Sequence, residues 1–99
     1  MAIKLVAADP HPLSLLGLAQ LLKSEPGFEL LASCATAEEA LKAVWKEQPD
    51  ILIVDINLPD RNGLELVNEL KNSSLEVMVV ILATSMDEDQ TIDALRYGV

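Results

Sequence analysis

A chain of 99 residues is the size of one domain, and 51% hydrophobic residues with a single Phe, Tyr and Trp make it an aliphatic-rich folded chain, not a disordered one. Sixteen acids against seven bases give a net charge of −9, a field that repels phosphate backbones and anionic lipid, so by itself the chain is expected to bind neither nucleic acid nor membrane. The one cysteine, Cys34, excludes an internal disulfide and a multi-cysteine zinc site; it reads as a buried, inert thiol in a reducing, cytoplasmic compartment.

In chain order, "IKLVAAD" (3–9) reads as a strand that ends on an acid. "PLSLLGLAQLLKS" (12–24) carries leucines on more than one face and predicts a well-buried helix despite Gly17, and "EPGF" is a turn. "FELLASC" (28–34) is a second strand. After it, "TAEEALKAVWKEQ" opens with Thr36 and Glu39 at capping-box spacing and places Ala37, Ala40, Leu41 and Val44 on one helical stripe. "DILIVD" (50–55) is too apolar to face water on either side and predicts a central parallel strand covered by helices on both faces. "LELVNELKN" is a helix with Leu66, Val67 and Leu70 inward, and "VMVVILA" (77–83) a fourth buried strand, far too short to span a membrane. "DEDQTIDALRY" is a last helix, with Ser85 and Glu88 at capping-box spacing before it and Gly98 as its stop. The opening "MAIKLVAAD" meets an acid too soon to be a secretory signal.

This β-α alternation predicts a doubly wound α/β fold with a parallel sheet and right-handed crossovers. Such sheets place their chemistry beyond the carboxyl ends of the strands, where strand order reverses. In the order 2-1-3-4, Asp9 and Asp55 end neighbouring strands at that point and face each other across one crevice. Two such carboxylates repel unless a cation sits between them, and Mg²⁺ suits one or two carboxylates, a backbone carbonyl and retained waters. In "DINLPDRNG" (55–63) the Asn57 carbonyl can turn back towards that cation, Pro59 stiffens the loop, and Gly63 permits a sharp re-entry into the next helix.

Asp55, Pro59 and Gly63 in the spacing Asp-x-x-x-Pro-x-x-x-Gly after an apolar strand resemble the phosphoacceptor loop of two-component response-regulator receiver domains. "DPHPL" at 9–13 is similar to the "DDHPL" opening of the NarL/LuxR-type subgroup, and "ALRYGV" at 94–99 to its "ALRAGA". The resemblance runs from Ile3 to Val99 and implies a flavodoxin-like (CheY-like) receiver fold that lacks its fifth strand and helix, hence one incomplete receiver domain over residues 1–99. It further implies that Asp55 accepts a phosphoryl group from a sensor histidine kinase, with Mg²⁺ held by Asp9, Asp55 and the Asn57 carbonyl. The readout would be transcription, through a helix-turn-helix output domain outside this chain.

Three departures stand against the pattern. Ala8 precedes Asp9 where the family has a second acid, so one outer carboxylate of the metal site is missing and Mg²⁺ binding should be weaker. Ala83 falls where a Thr or Ser usually holds the phosphoryl oxygen; Thr84 remains as a candidate contact, although one step along a strand points to the opposite face unless a bulge intervenes. The family's phosphate-contacting Lys lies beyond Val99. These departures keep a second reading open, a degenerate receiver acting as a phosphorylation-independent interaction module. An enzyme is disfavoured by the lack of a Gly-rich phosphate loop, a Ser-His-Asp set or Cys-x-x-Cys.

The simpler roles are a helix cap for Asp9, a rigid loop position between two prolines for His11, half-buried packing for Trp45, and a solvated helix start for "DEDQ" at 87–90. A bare outer edge on the strand at 77–83 would favour self-association, so a homo-oligomer is expected.

Overall fold

The computed structural model describes residues 2–82, which alternate strand and helix from end to end: β1 (Ile3–Ala8), α1 (Pro12–Lys23), β2 (Phe28–Cys34), α2 (Ala37–Glu47), β3 (Ile51–Asp55), α3 (Gly63–Lys71) and β4 (Met78–Leu82). The strands pair in parallel in the order β2-β1-β3-β4, as the alternation predicts. The expected last helix, its Ser85/Glu88 box, Gly98, Ala83 and Thr84 lie outside the described residues.

Each element has a local cause. Pro12 starts α1 at a position where its missing N–H costs nothing. Thr36 caps α2 by accepting the Glu39 N–H at 3.1 Å, as the capping-box spacing predicts, and Gln48 in a left-handed turn (φ 47°) ends that helix before Pro49. Asn62 Oδ1 accepts the Leu64 N–H at 2.8 Å and starts α3.

Right-handed crossovers decide the layers. The step from β1 to β2 runs one way along the sheet and the steps to β3 and β4 run the other, so α1 lies on one face and α2 and α3 on the opposite face. The main core fills the second face: Val6, Ala8, Leu52, Val54 and Val79 from the sheet meet Ala37, Ala40, Leu41 and Val44 of α2 and Leu66, Val67 and Leu70 of α3. Each fully buried Val or Leu there contributes about 1.5–3 kcal/mol.

On the α1 face three expectations are corrected. None of the twelve residues of α1 is buried, and Leu13 is 83% exposed. Among the described residues no second helix shares this face, so α1 covers only the stripe Leu15, Leu18, Ala19 and Leu22, each partly buried. For the same reason β3 is not covered equally on both faces: Leu52 and Val54 are sealed beneath α2 and α3, while Ile51 and Ile53 stay partly exposed. β4 follows suit, with Val79 buried but Met78, Val80 and Leu82 exposed. Half-exposed Trp45, on α2, and buried Cys34 stand as the sequence predicts.

Candidate functional site

Register brings the two acids together. β1 and β3 pair through Leu5–Ile51 up to Ala8–Val54, so the next residues, Asp9 just past β1 and Asp55 at the end of β3, lie side by side at the carboxyl edge of the sheet. Both side chains are largely withdrawn from water, Asp9 more so than Asp55. Asp9 does not cap α1: the N-cap is His11, which makes no side-chain cap bond.

Backbone amides fix each carboxylate. Asp9 Oδ1 accepts the His11 N–H at 2.8 Å, and Asp55 Oδ1 accepts the Asn57 N–H at 2.7 Å. Among the described residues the hydrogen bonds to both acids fall on Oδ1, which leaves both Oδ2 atoms for a further ligand. The crevice holds a third group, His11, which the sequence by itself places only in the loop. His11 Nδ1 lies 2.8 Å from Asp9 Oδ1 and 3.8 Å from Asp55 Oδ2, and one ligand atom from each of Asp9, His11 and Asp55 falls within 4.8 Å of the others.

The loop after β3 is held by contacts that no local pattern announced. Asn57 and Asn62 form an isolated antiparallel bridge, and the Gly63 N–H donates to the Ile56 carbonyl at 2.7 Å, which closes residues 57–62 into a tight excursion. A Cβ on Gly63 would stand 2.7 Å from the Asp55 carbonyl oxygen and 2.9 Å from Ile56 Cα, so glycine is required here for close approach. Exposed Pro59 sits at the turn. Asp60 Oδ1 and Oδ2 accept the Ala37 and Glu38 N–H groups at 2.8 and 3.0 Å, tying this loop to the start of α2. Those backbone N–H groups, that of Ala37 foremost, hold the Asp60 carboxyl below its usual range. Arg61 reaches Glu69 at 2.9 Å. Asp60 leaves no trace in the sequence because it caps a helix 23 residues away, whereas Asn62 is a local cap whose signal is an Asn directly before Gly63 and the apolar stripe of α3.

Ala8 is buried in the main apolar core at the end of β1. Leu82, the last described residue of β4, pairs with Asp55.

A parallel 2-1-3-4 sheet with an acid pair at the switch point and a glycine packed against the second acid is an architecture with known relatives. The sequence model described as "Response regulator receiver domain" matches residues 5–99. The chain belongs to that family. As a receiver it is a regulatory and not a catalytic domain. It is 29% identical over 90 residues to the nitrate/nitrite response regulator protein NarL of Escherichia coli K12, covering 91% of this chain and 42% of that protein. To the transcriptional regulatory protein DegU of Brevibacillus brevis it is 34% identical over 96 residues, or 97% of this chain and 41% of that one. The receiver thus spans less than half the length of these curated relatives. Among solved structures, a LuxR-family DNA-binding response regulator from Staphylococcus aureus superposes with a TM-score of 0.92 at 27% identity, over 98% of this receiver and 81% of that chain. The receiver domain of the putative response regulator NarL from Mycobacterium tuberculosis gives 0.92 at 19% identity, over 99% and 79%, and shows the shared fold.

The donor set of this receiver fits a hard divalent cation: two carboxylates from adjacent strands, pinned at one oxygen each and with the other oxygen available. Among the described residues no helix is long and apolar enough to cross a membrane.

Proposed function

We propose that this receiver accepts a phosphoryl group on Asp55 from the phosphohistidine of a sensor histidine kinase and so controls transcription through an output domain outside these 99 residues. The observation that carries this reading is the placement of Asp55 at the end of β3, its Oδ1 held by the Asn57 N–H and its Oδ2 turned towards Asp9 and His11. In the transfer an Asp55 carboxylate oxygen attacks phosphorus, the P–N bond breaks, and the imidazole leaves with its electron pair. Mg²⁺ held by Asp9, Asp55 and the Asn57 carbonyl would offset the charge that gathers between carboxylate and phosphoryl group. The similarity to NarL and DegU, both regulators by name, supports a transcriptional readout.

One observation favours the second reading, a receiver that binds partners without phosphorylation. Ala8 is sealed in apolar core where the receiver pattern has an acid, so the site has one carboxylate fewer to hold metal-bound water. Incubation with Mg²⁺ and acetyl phosphate, followed by intact-mass and peptide mass spectrometry, separates the two. Phosphotransfer predicts one acid-labile phosphoryl group on Asp55, absent from Asp55→Asn. Equal incorporation by both proteins, or none by the wild type even with a cognate kinase, would establish the partner-binding module.

A further inference from the structure

The imidazole of His11 has no part in the reading above, yet it stands inside the crevice. "Asp9-Pro10-His11-Pro12" explains why. A residue that precedes proline is driven out of the helical region, and His11 adopts φ −95° and ψ 112°. Pro12 then starts α1 immediately. Proline thus follows both Asp9 and His11 and narrows the backbone freedom of each, and the His11 N–H is already committed to Asp9 Oδ1. The ring therefore sits over the acid pair on a short, stiff segment, with its outer part in water: the side chain is 66% exposed.

The three groups are close enough to share one ion, since one ligand atom from each falls within 4.8 Å of the others. A six-coordinate ion with bonds of about 2.1 Å sets neighbouring ligand atoms about 3 Å apart and opposite ones about 4.2 Å apart. His11 Nδ1 is 2.8 Å from Asp9 Oδ1 and 3.8 Å from Asp55 Oδ2. The set is not purely acidic: it contains one nitrogen donor, and imidazole suits nickel, copper, zinc and iron, whereas Mg²⁺ favours oxygen.

We infer that Asp9, Asp55 and His11 Nδ1 form a mixed nitrogen–oxygen site that takes borderline transition-metal ions such as Co²⁺ or Ni²⁺ through all three residues, and Mg²⁺ through the oxygens alone. This inference rests on the cation-site reading of the acid pair given above. On coordination Nδ1 would present its lone pair to the ion and give up its contact with Asp9 Oδ1. The donor change makes His11 a determinant of which metal loads the receiver.

The test is calorimetric titration of the chain with Ni²⁺ and with Mg²⁺, in wild type, His11→Ala and Asp55→Asn, without phosphodonor. The ratio of Ni²⁺ to Mg²⁺ affinity should fall by at least about tenfold in His11→Ala. Asp55→Asn should weaken both ions. A second readout uses the fact that the sequence holds a single histidine: Co²⁺ should give a hyperfine-shifted imidazole N–H proton signal that His11→Ala abolishes. A smaller fall in the ratio, or no such signal, overturns the nitrogen ligand while Asp55-dependent Mg²⁺ binding leaves the acid-pair reading standing. Mg²⁺ affinity unchanged in Asp55→Asn overturns both.

Discussion

Asp60, in the loop that follows the candidate phosphoacceptor, accepts the backbone N–H of Ala37 at 2.8 Å and so joins that loop to the first turn of α2. The bond to Glu38 beside it makes the carboxylate a two-pronged cap supplied from outside the helix, complementing Thr36, which serves Glu39. A change in the loop is therefore also a change in the seat of α2.

The pH dependence of this cap follows from its sign. The folded-state value of the Asp60 carboxyl is lowered from 3.8, so its contribution to stability is fully present above that value and is lost as pH falls through the folded one. Asp60→Ala should lower Tm near pH 7, and the gap to wild type should narrow as pH drops below about 4. Thermal unfolding followed by circular dichroism at a series of pH values checks this. A gap that stays constant down to about pH 3 would mean that the ionised carboxylate is not what holds α2.

Gly63→Ala tests the close approach beneath Asp55. The new methyl meets backbone, the Asp55 carbonyl oxygen and Ile56 Cα, which cannot swing aside as a side chain would. Loss of about 1–3 kcal/mol in urea unfolding is expected, together with weaker Mg²⁺ binding because the displaced strand end carries Asp55. Stability within about 0.5 kcal/mol of wild type would show that the loop yields freely.

The unequal faces of the sheet make a paired prediction. Leu66, fully buried between α3 and the sheet, should cost about 2–5 kcal/mol when replaced by alanine. Leu13→Ser, on the exposed side of α1, should stay within about 0.5 kcal/mol of wild type. A large loss at Leu13 would reveal packing over α1 from outside residues 2–82.

Cys34 is the third kind of core probe. Burial, and after it the charge of Glu39, pushes the thiol upward, so little thiolate is present near neutrality. A disulfide reagent should label it slowly in the native protein and rapidly in denaturant. Native labelling at the rate of the unfolded chain would place the end of β2 in solvent.

Strand and helix periodicity, the capping box at Thr36 and the acids that end "IKLVAAD" and "ILIVD" were legible in the sequence because each depends on neighbours a few residues away. Strict alternation then limits the topology, and with it the pairing of Asp9 with Asp55, since right-handed crossovers leave few ways to wind a parallel sheet. What tertiary structure alone decided depends on groups distant in sequence or on how faces are covered. Apolar periodicity shows that Leu13 and Leu16 could be buried but not whether a partner element lies over them; among the described residues none shares their face. The Asp60 cap joins residues 23 positions apart. His11 looked like a loop position because a lone histidine carries no spacing signal, and only the meeting of two strand ends beneath the prolines places its imidazole against the acid pair.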